Sequence, residues 1–294
     1  MIKTQAIFLT LLFFVAASAS ADQLWTRAPS SVPQAGAECE GFHGESLRSK
    51  EAVDALTQRC FRDVLSHAPA NTFRRSDDSR FSVVAWKDMI FIQRASITGQ
   101  TRFEALRARS PKLENVLAVA TDVVREELYV LDADSAGMAQ LLVYQLKESG
   151  EQSPRRIIRG EFMKGADSLA LDPVAGRLYL GHSSESKITV LRQLGTLHNA
   201  GKEEFSAQPL QVYSLSDSSV SRPATLSVDP KTSDLYVFDR DNRHGVRMEQ
   251  KGTTLNAHPL DLNVDDIRSL NINIPSRTLE VLTGQGIKSY SLGI

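Results

Sequence analysis

The stretch GADSLALDPVAGRLYLGHSSESKITVLR, residues 165–192, carries the pattern that decides the fold. An apolar run leads into Asp172-Pro173. Asp at the first position of a type I turn caps backbone amides, and Pro at the second has its φ preset. A second run contains Leu178-Tyr179-Leu180, a polar loop follows, and a third apolar run ends the stretch. Short runs of this length, separated by turn residues, read as three strands of an antiparallel meander.

The unit recurs. In LAVATDVVREELYVL, LALDPVAGRLYL, LSVDPKTSDLYVF and LNINIPSRTLEVL, a turn residue (Asp122, Asp172, Asp229, Asn273) stands six positions before a leucine (Leu128, Leu178, Leu235, Leu279). A tyrosine follows that leucine in the first three units, and Glu280 breaks the pattern in the fourth. The turn residues are 50, 57 and 44 positions apart. A period near this length with several short strands per unit describes a propeller blade, because one such sheet cannot bury both of its faces and neighbouring units must cover it. A weaker version at residues 81–93, FSVVAWKDMIFIQ, reads as the first unit. The last unit has a third strand but no fourth, so residues 23–27 or 71–75 are expected to complete it.

The ends of the chain are different in kind. Residues 1–21 combine Lys3, an apolar run and Ala19-Ser20-Ala21, the pattern of a cleaved signal peptide. Export to the periplasm or beyond is therefore expected, with no membrane span left after cleavage. The two cysteines, Cys39 and Cys60, then read as one disulfide. Residues 46–67 read as a helix, with Ser49 as N-cap and Val53, Leu56, Cys60 and Val64 on one face; Pro69 follows its end. The expectation is an all-β fold: a β-propeller of about five blades behind a short helical, disulfide-stapled N-terminal segment. The divisions are 1–21, 22–75 and 76–294.

LALDPVAGRLYLGHSSESKITVL and LSVDPKTSDLYVFDRDNRHGVRM resemble the repeats of bacterial YVTN- and NHL-type β-propellers, over about residues 81–294. The resemblance speaks to fold; propellers host many activities. Strand order places the loops at 132–139, 181–187 and 239–245 on one face of the disc and the Asp turns on the other. The first face gathers Asp132, Asp134, His182, Glu185, Asp239, Asp241, Asn242 and His244, the candidate binding residues, since loops on a rigid scaffold carry recognition. Asp132/Asp134 and Asp239/Asp241 offer oxygen ligands of the kind Ca²⁺ takes, without the full acidic loop that Ca²⁺ sites use. No catalytic signature is present, and Asp172-Pro173 and Asp229-Pro230 are read as turns, so no catalytic residue and no cofactor is assigned.

With 34 basic and 35 acidic residues, the chain gives no electrostatic case for nucleic acid. The insertion at residues 193–208 is polar and is expected to project from a blade edge. These features point to a non-enzymatic binding or scaffold module for a protein, peptide or glycan. The competing expectation is a metal-dependent lactonase or hydrolase, which needs acidic and amide side chains converging on the axis.

Overall fold

The computed structural model describes residues 50–292, apart from 68–69, 77–79, 87, 97–99, 110, 147–149, 193–203, 207, 216–218 and 265. The leader, residues 23–27, Cys39 and Ser49 lie outside the described residues. Helix α1 (Lys50–His67) precedes five sheets. The first holds β1 (Phe73–Arg75), β2 (Phe81–Trp86), β3 (Met89–Ala95) and β4 (Thr101–Ala108). The second holds β5 (Val116–Asp122), β6 (Glu127–Ala133) and β7 (Ala139–Gln145); β8 (Gly150–Gln152) leaves to pair with β4, and β9 (Arg156–Arg159) pairs with β7. The third holds β10 (Ser168–Asp172), β11 (Arg177–His182) and β12 (Lys187–Arg192); β13 (Glu204–Ser206) pairs with β9, and β14 (Gln211–Ser214) ends the sheet. The fourth is β15 (Pro223–Val228), β16 (Leu235–Asp239), β17 (His244–Lys251) and β18 (Thr254–Leu260). The fifth is β19 (Ser269–Asn273), β20 (Thr278–Thr283) and β21 (Gly286–Ser291). Strands β1, β5, β10, β15 and β19 contact one another in sequence and β19 returns to β1, so the chain forms a closed ring of five blades.

Alternation along each second strand explains the repeat. Leu128 and Val130 enter the core between the first and second blades, while Tyr129 and Leu131 enter the next. Leu178 and Leu180 face back and Tyr179 forward; Leu235 and Val237 face back and Tyr236 forward. Each strand thus supplies two interfaces at once, which is why its central run is apolar on both faces. In the fifth blade the forward position is Glu280, and the neighbour it meets is Arg75, whose Nη1 donates to Glu280 Oε1 at 3.2 Å. The break in the repeat is the ion pair that joins the last blade to the first.

Residues 81–93 fall in the first blade, as its second and third strands. One expectation changes: residues 71–75 do not complete the last blade. They supply β1, the innermost strand of the first, and the fifth blade has three strands among the described residues. Closure runs through β1: Asn71 N donates to Arg268 O at 2.8 Å, and Ser269 Oγ donates to Phe73 O at 2.8 Å. Helix α1 packs on β2, β3 and β4, and its Cys60, Phe61, Val64 and Leu65 share a cluster with Leu282 of the fifth blade. It therefore touches the first and fifth blades at once. Of the insertion, Glu204–Ser206 is described, and it runs parallel to β9 as an added strand on the previous blade.

The turn acids are structural. Oδ1 of Asp172 accepts from the amides of Val174 and Ala175 at 3.0 and 2.8 Å, and Asp122 Oδ1 does the same for Val124 and Arg125. Asp122 Oδ2 accepts from Arg125 Nη1 in its own turn at 2.8 Å, whereas in the next two blades the second oxygen reaches across: Ser233 Oγ donates to Asp172 Oδ2 at 3.1 Å, and Arg277 Nη1 to Asp229 Oδ2 at 2.9 Å. Four residues after each turn residue the chain enters the left-handed region, at Glu126 (φ 58°), Gly176 (φ 62°), Ser233 (φ 61°) and Arg277 (φ 51°). Only the third blade uses glycine there. Glu126→Gly removes a Cβ clash and is expected to stabilise the fold by about 0.5–1 kcal/mol, the turn's gain exceeding glycine's entropy cost. A raised urea midpoint with unchanged slope is the readout.

Candidate functional site

The loops expected to share a face do so. Inter-blade connections and the loops after each second strand meet there, and the acids of that face tie them together. Asp132, His182 and Asp239 occupy one register position, four after the repeat leucine, and all three are fully buried. Asp239 accepts from the amides of Ser221, Asp241 and Asn242 at 2.6, 2.8 and 3.1 Å. Burial alone would raise its pKa, but those donors together hold it below the usual carboxylate value. Asp132 Oδ1 accepts from the amides of Glu114 and Asn115, at 3.1 and 2.9 Å, and the Gln140 side chain also favours its charged form, but its Oδ2 has no hydrogen bond of good geometry. Desolvation wins there, and its pKa is raised.

His182 is held at both nitrogens, Nδ1 by Lys164 O at 3.1 Å and Nε2 by Thr189 Oγ1 at 3.0 Å. Burial, followed by the Lys187 charge, depresses its pKa. A folded-state pKa below the unfolded value of about 6.5 makes the neutral form the stable one. His182 therefore supports the fold fully above that pH, and its contribution is lost as pH falls through the folded value. Urea midpoints at pH 7.5 and 5.5 should differ more for the wild-type chain than for His182→Gln; equal differences would remove His182 from the pH response.

The other candidates are reachable but engaged. Asp134 Oδ1 accepts from the amides of Ala136 and Met138. Glu185 pairs with Lys187 at 2.6 Å, Asp241 with Arg222 at 3.1 Å, and Asn242 Nδ2 donates to Ser219 O at 3.2 Å. His244 is half-buried at the start of β17. Among the described residues, no three His, Cys, Asp or Glu side chains are placed to share a metal ion.

The axis holds what sequence reasoning missed. Inner strands are sheet edges, so their outward carbonyls reach the axis without ladder partners. Val119, Leu169, Leu226 and Leu270 are register equivalents, each opposite the residue two after the repeat leucine. In β1 the equivalent position is Phe73, and Arg74, one residue on, turns its side chain into the axis. Its Nε donates to Val119 O at 3.3 Å, Nη1 to Leu270 O at 2.5 Å, and Nη2 to Leu169 O and Leu226 O at 2.6 and 3.1 Å. One guanidinium reaches all four other blades. Nearer the loop face, Asn71 adds a second tie, Nδ2 donating to Asp167 O and Ala224 O at 3.1 and 2.7 Å. Its φ of 67° is one that asparagine tolerates better than most residues.

On the turn side of Arg74 the axis opens into a shallow polar pocket of ≈ 20 Å³, lined by Arg74, Arg75, Thr121, Ser227 and Asn271 among others. That is room for about one water-sized group, far below the roughly 300–1,000 Å³ of small-molecule sites.

No family model matches the chain, and no curated protein matches it. Among solved structures it is similar to a chain of one titled "Crystal Structure of Mitotic Checkpoint Complex", at 8% identity and a TM-score of 0.48, covering 76% of each chain.

Proposed function

We propose that the chain is an exported, non-enzymatic binding module that recognises a protein, peptide or glycan through one face of its five-bladed ring. The observation that carries this reading is the axis. A propeller enzyme of the lactonase or hydrolase kind needs acidic and amide oxygens converging there, and here a guanidinium spends its hydrogen bonds on main-chain carbonyls. The space left beside it is too small for a substrate. No observation favours the hydrolase alternative, and the binding reading requires no cofactor.

Export, the YVTN/NHL-type resemblance and a Cys39–Cys60 bridge belong to the same proposal. Cys60 is fully buried on the inner side of α1, where a bridge would pin the preceding arm to the ring. Two titratable thiols in denatured, unreduced protein would remove the bridge. The function itself is tested by cross-linked capture from the native cell envelope beside a panel of lactone and ester substrates with divalent metals. A partner retained through repeated washing and lost when one face is altered supports binding. Metal-dependent hydrolysis of any substrate in the panel would replace it with the enzyme.

A further inference from the structure

We propose that the outer edge of β14 takes up an extended segment of a partner polypeptide as a parallel fifth strand of the third blade, with an aliphatic side chain of that segment over Leu210 and Val212. The proposal rests on the binding-module reading above, from which it takes a polypeptide partner, and extends it to the rim of the ring.

The kind of occupant is shown by the two preceding blades. In the first, the fourth strand β4 is covered by β8, which runs parallel to it with Leu106, Arg107 and Ala108 opposite Gly150, Glu151 and Gln152. In the second, β13 covers β9 in the same parallel sense. Both covering strands are three residues long. Both also come from the same place, the connector between the third and fourth strands of the following blade: β7 to β9 in one case, β12 to β14 in the other. By that rule the third blade would draw its fifth strand from the connector between β17 and β18. That connector is Gly252-Thr253, a tight turn closed by Lys251 opposite Thr254, and it is too short to reach another blade. Among the described residues β14 is therefore the last strand of its sheet.

The open edge suits strand addition. Leu215 N donates to Ser186 O at 2.8 Å, which sets the alternation along β14. The main-chain groups of Tyr213 then face β12, and the amide and carbonyl of Val212 face away from the sheet. Beside them, Leu210 is 50% exposed and Val212 52%, two of the six large exposed apolar side chains among the described residues. Tyr213 is buried in the core shared with the fourth blade, so the strand that presents this edge is held in place. The other open outer edges carry residues that discourage pairing. Strand β18 has Pro259, which offers no amide, and β21 has the exposed Lys288. Strand β14 has neither a proline nor a charge across Gln211–Ser214. Open main-chain groups beside aliphatic side chains are what an added strand uses: the main chain supplies affinity and alternate side chains supply specificity.

The test is selection of random dodecapeptides displayed on phage against the wild-type chain, followed by binding and hydrogen-exchange measurements with the synthetic peptides. The expected peptides need an aliphatic residue, slow exchange of the Val212 amide, and lose ten-fold or more in affinity when alternate residues are N-methylated but not when the intervening ones are. A nitroxide at the peptide's N-terminus should relax the Gln211 amide more than the Ser214 amide, as a parallel strand requires. Val212→Pro removes an outward amide and no ladder bond, so it should melt close to the wild type and weaken binding ten-fold or more. Leu210→Lys with Val212→Lys should weaken binding as much through charge at the edge, and serves if the proline variant does not fold. Peptides that ignore these variants, leave Val212 exchange unchanged or relax Ser214 more strongly overturn the proposal. If such binding is lost with Glu185→Ala and Asp241→Ala, recognition belongs to the loop face and the binding-module reading stands. A dimer of this chain that Val212→Pro dissociates, with no peptide enriched, gives the edge to a second copy and overturns the proposal. No enrichment and no dimer overturn it too, and capture from the envelope then decides the binding-module reading alone.

Discussion

Arg74→Leu is expected to cost the fold about 4 kcal/mol or more. The guanidinium's four bonds each link a different blade to β1, and hydrogen bonds to a charged group contribute roughly 1.5–3 kcal/mol apiece. Leucine also leaves four buried carbonyl oxygens facing one another without a donor. That sum is a large share of the stability of a typical domain, so the variant should unfold at much lower urea or express only as aggregate. Arg74→Lys is the informative companion. An ammonium keeps the charge but has three donors in a compact head and cannot span four strands, so it should recover only part of the loss. If Arg74→Leu melts within about 1 kcal/mol of the wild type, the guanidinium is not what ties the inner strands.

Phe61→Ala is expected to cost about 3–5 kcal/mol, the range for removing a well-packed core aromatic. Phe61 is buried and meets Phe103 edge to face, with ring centroids 5.6 Å apart and planes at 62°. The cluster it enters includes β2, β3 and β4 of the first blade and Leu282 of the fifth. A helix that only decorated the ring would tolerate the change with a loss under about 1 kcal/mol and no shift in the main melting transition. The expected result is instead one cooperative transition, displaced as a whole, because the helix shares its core with the first and fifth blades. Two separate transitions would show that α1 folds apart from the ring.

The blades were legible because their signal is carried by side chains. Asp122, Asp172 and Asp229 stand where a turn needs an acceptor, and the leucine and tyrosine that follow face opposite interfaces. The strand that closes the ring was harder to read. β1 is three residues long, and Phe73-Arg74-Arg75 resembles a solvated loop more than a buried strand. The partners of Arg74 are main-chain carbonyls, which every residue carries, so four blades contribute to the axis without leaving a mark in the sequence. Glu280 looked like a lapse in the repeat until Arg75 was placed opposite it.

The candidate binding residues divide for a related reason. His182 and Asp239 end their strands and Asp132 stands one residue before the end of its own, instead of lying in the loops that follow. At that register position a polar side chain faces the inter-blade connection, and the balance between burial and the amides that reach it sets the direction in which its pKa moves. Their polarity serves the joint between blades. The open edge of β14 carried no sequence signal, because what covers an outer strand is set by the connector of the neighbouring blade and not by the strand's own residues.

The central claim is that one buried guanidinium closes the axis, and hydrogen exchange at that group tests it most directly. In a proton–nitrogen spectrum assigned by comparison with Arg74→Lys, the Arg74 Nε–H should resist exchange far longer than the exposed arginines, because it opens only when the inner strands separate. An Arg74 Nε–H that exchanges as fast as those of exposed Arg102 and Arg243 would mean an open axis and would contradict the account.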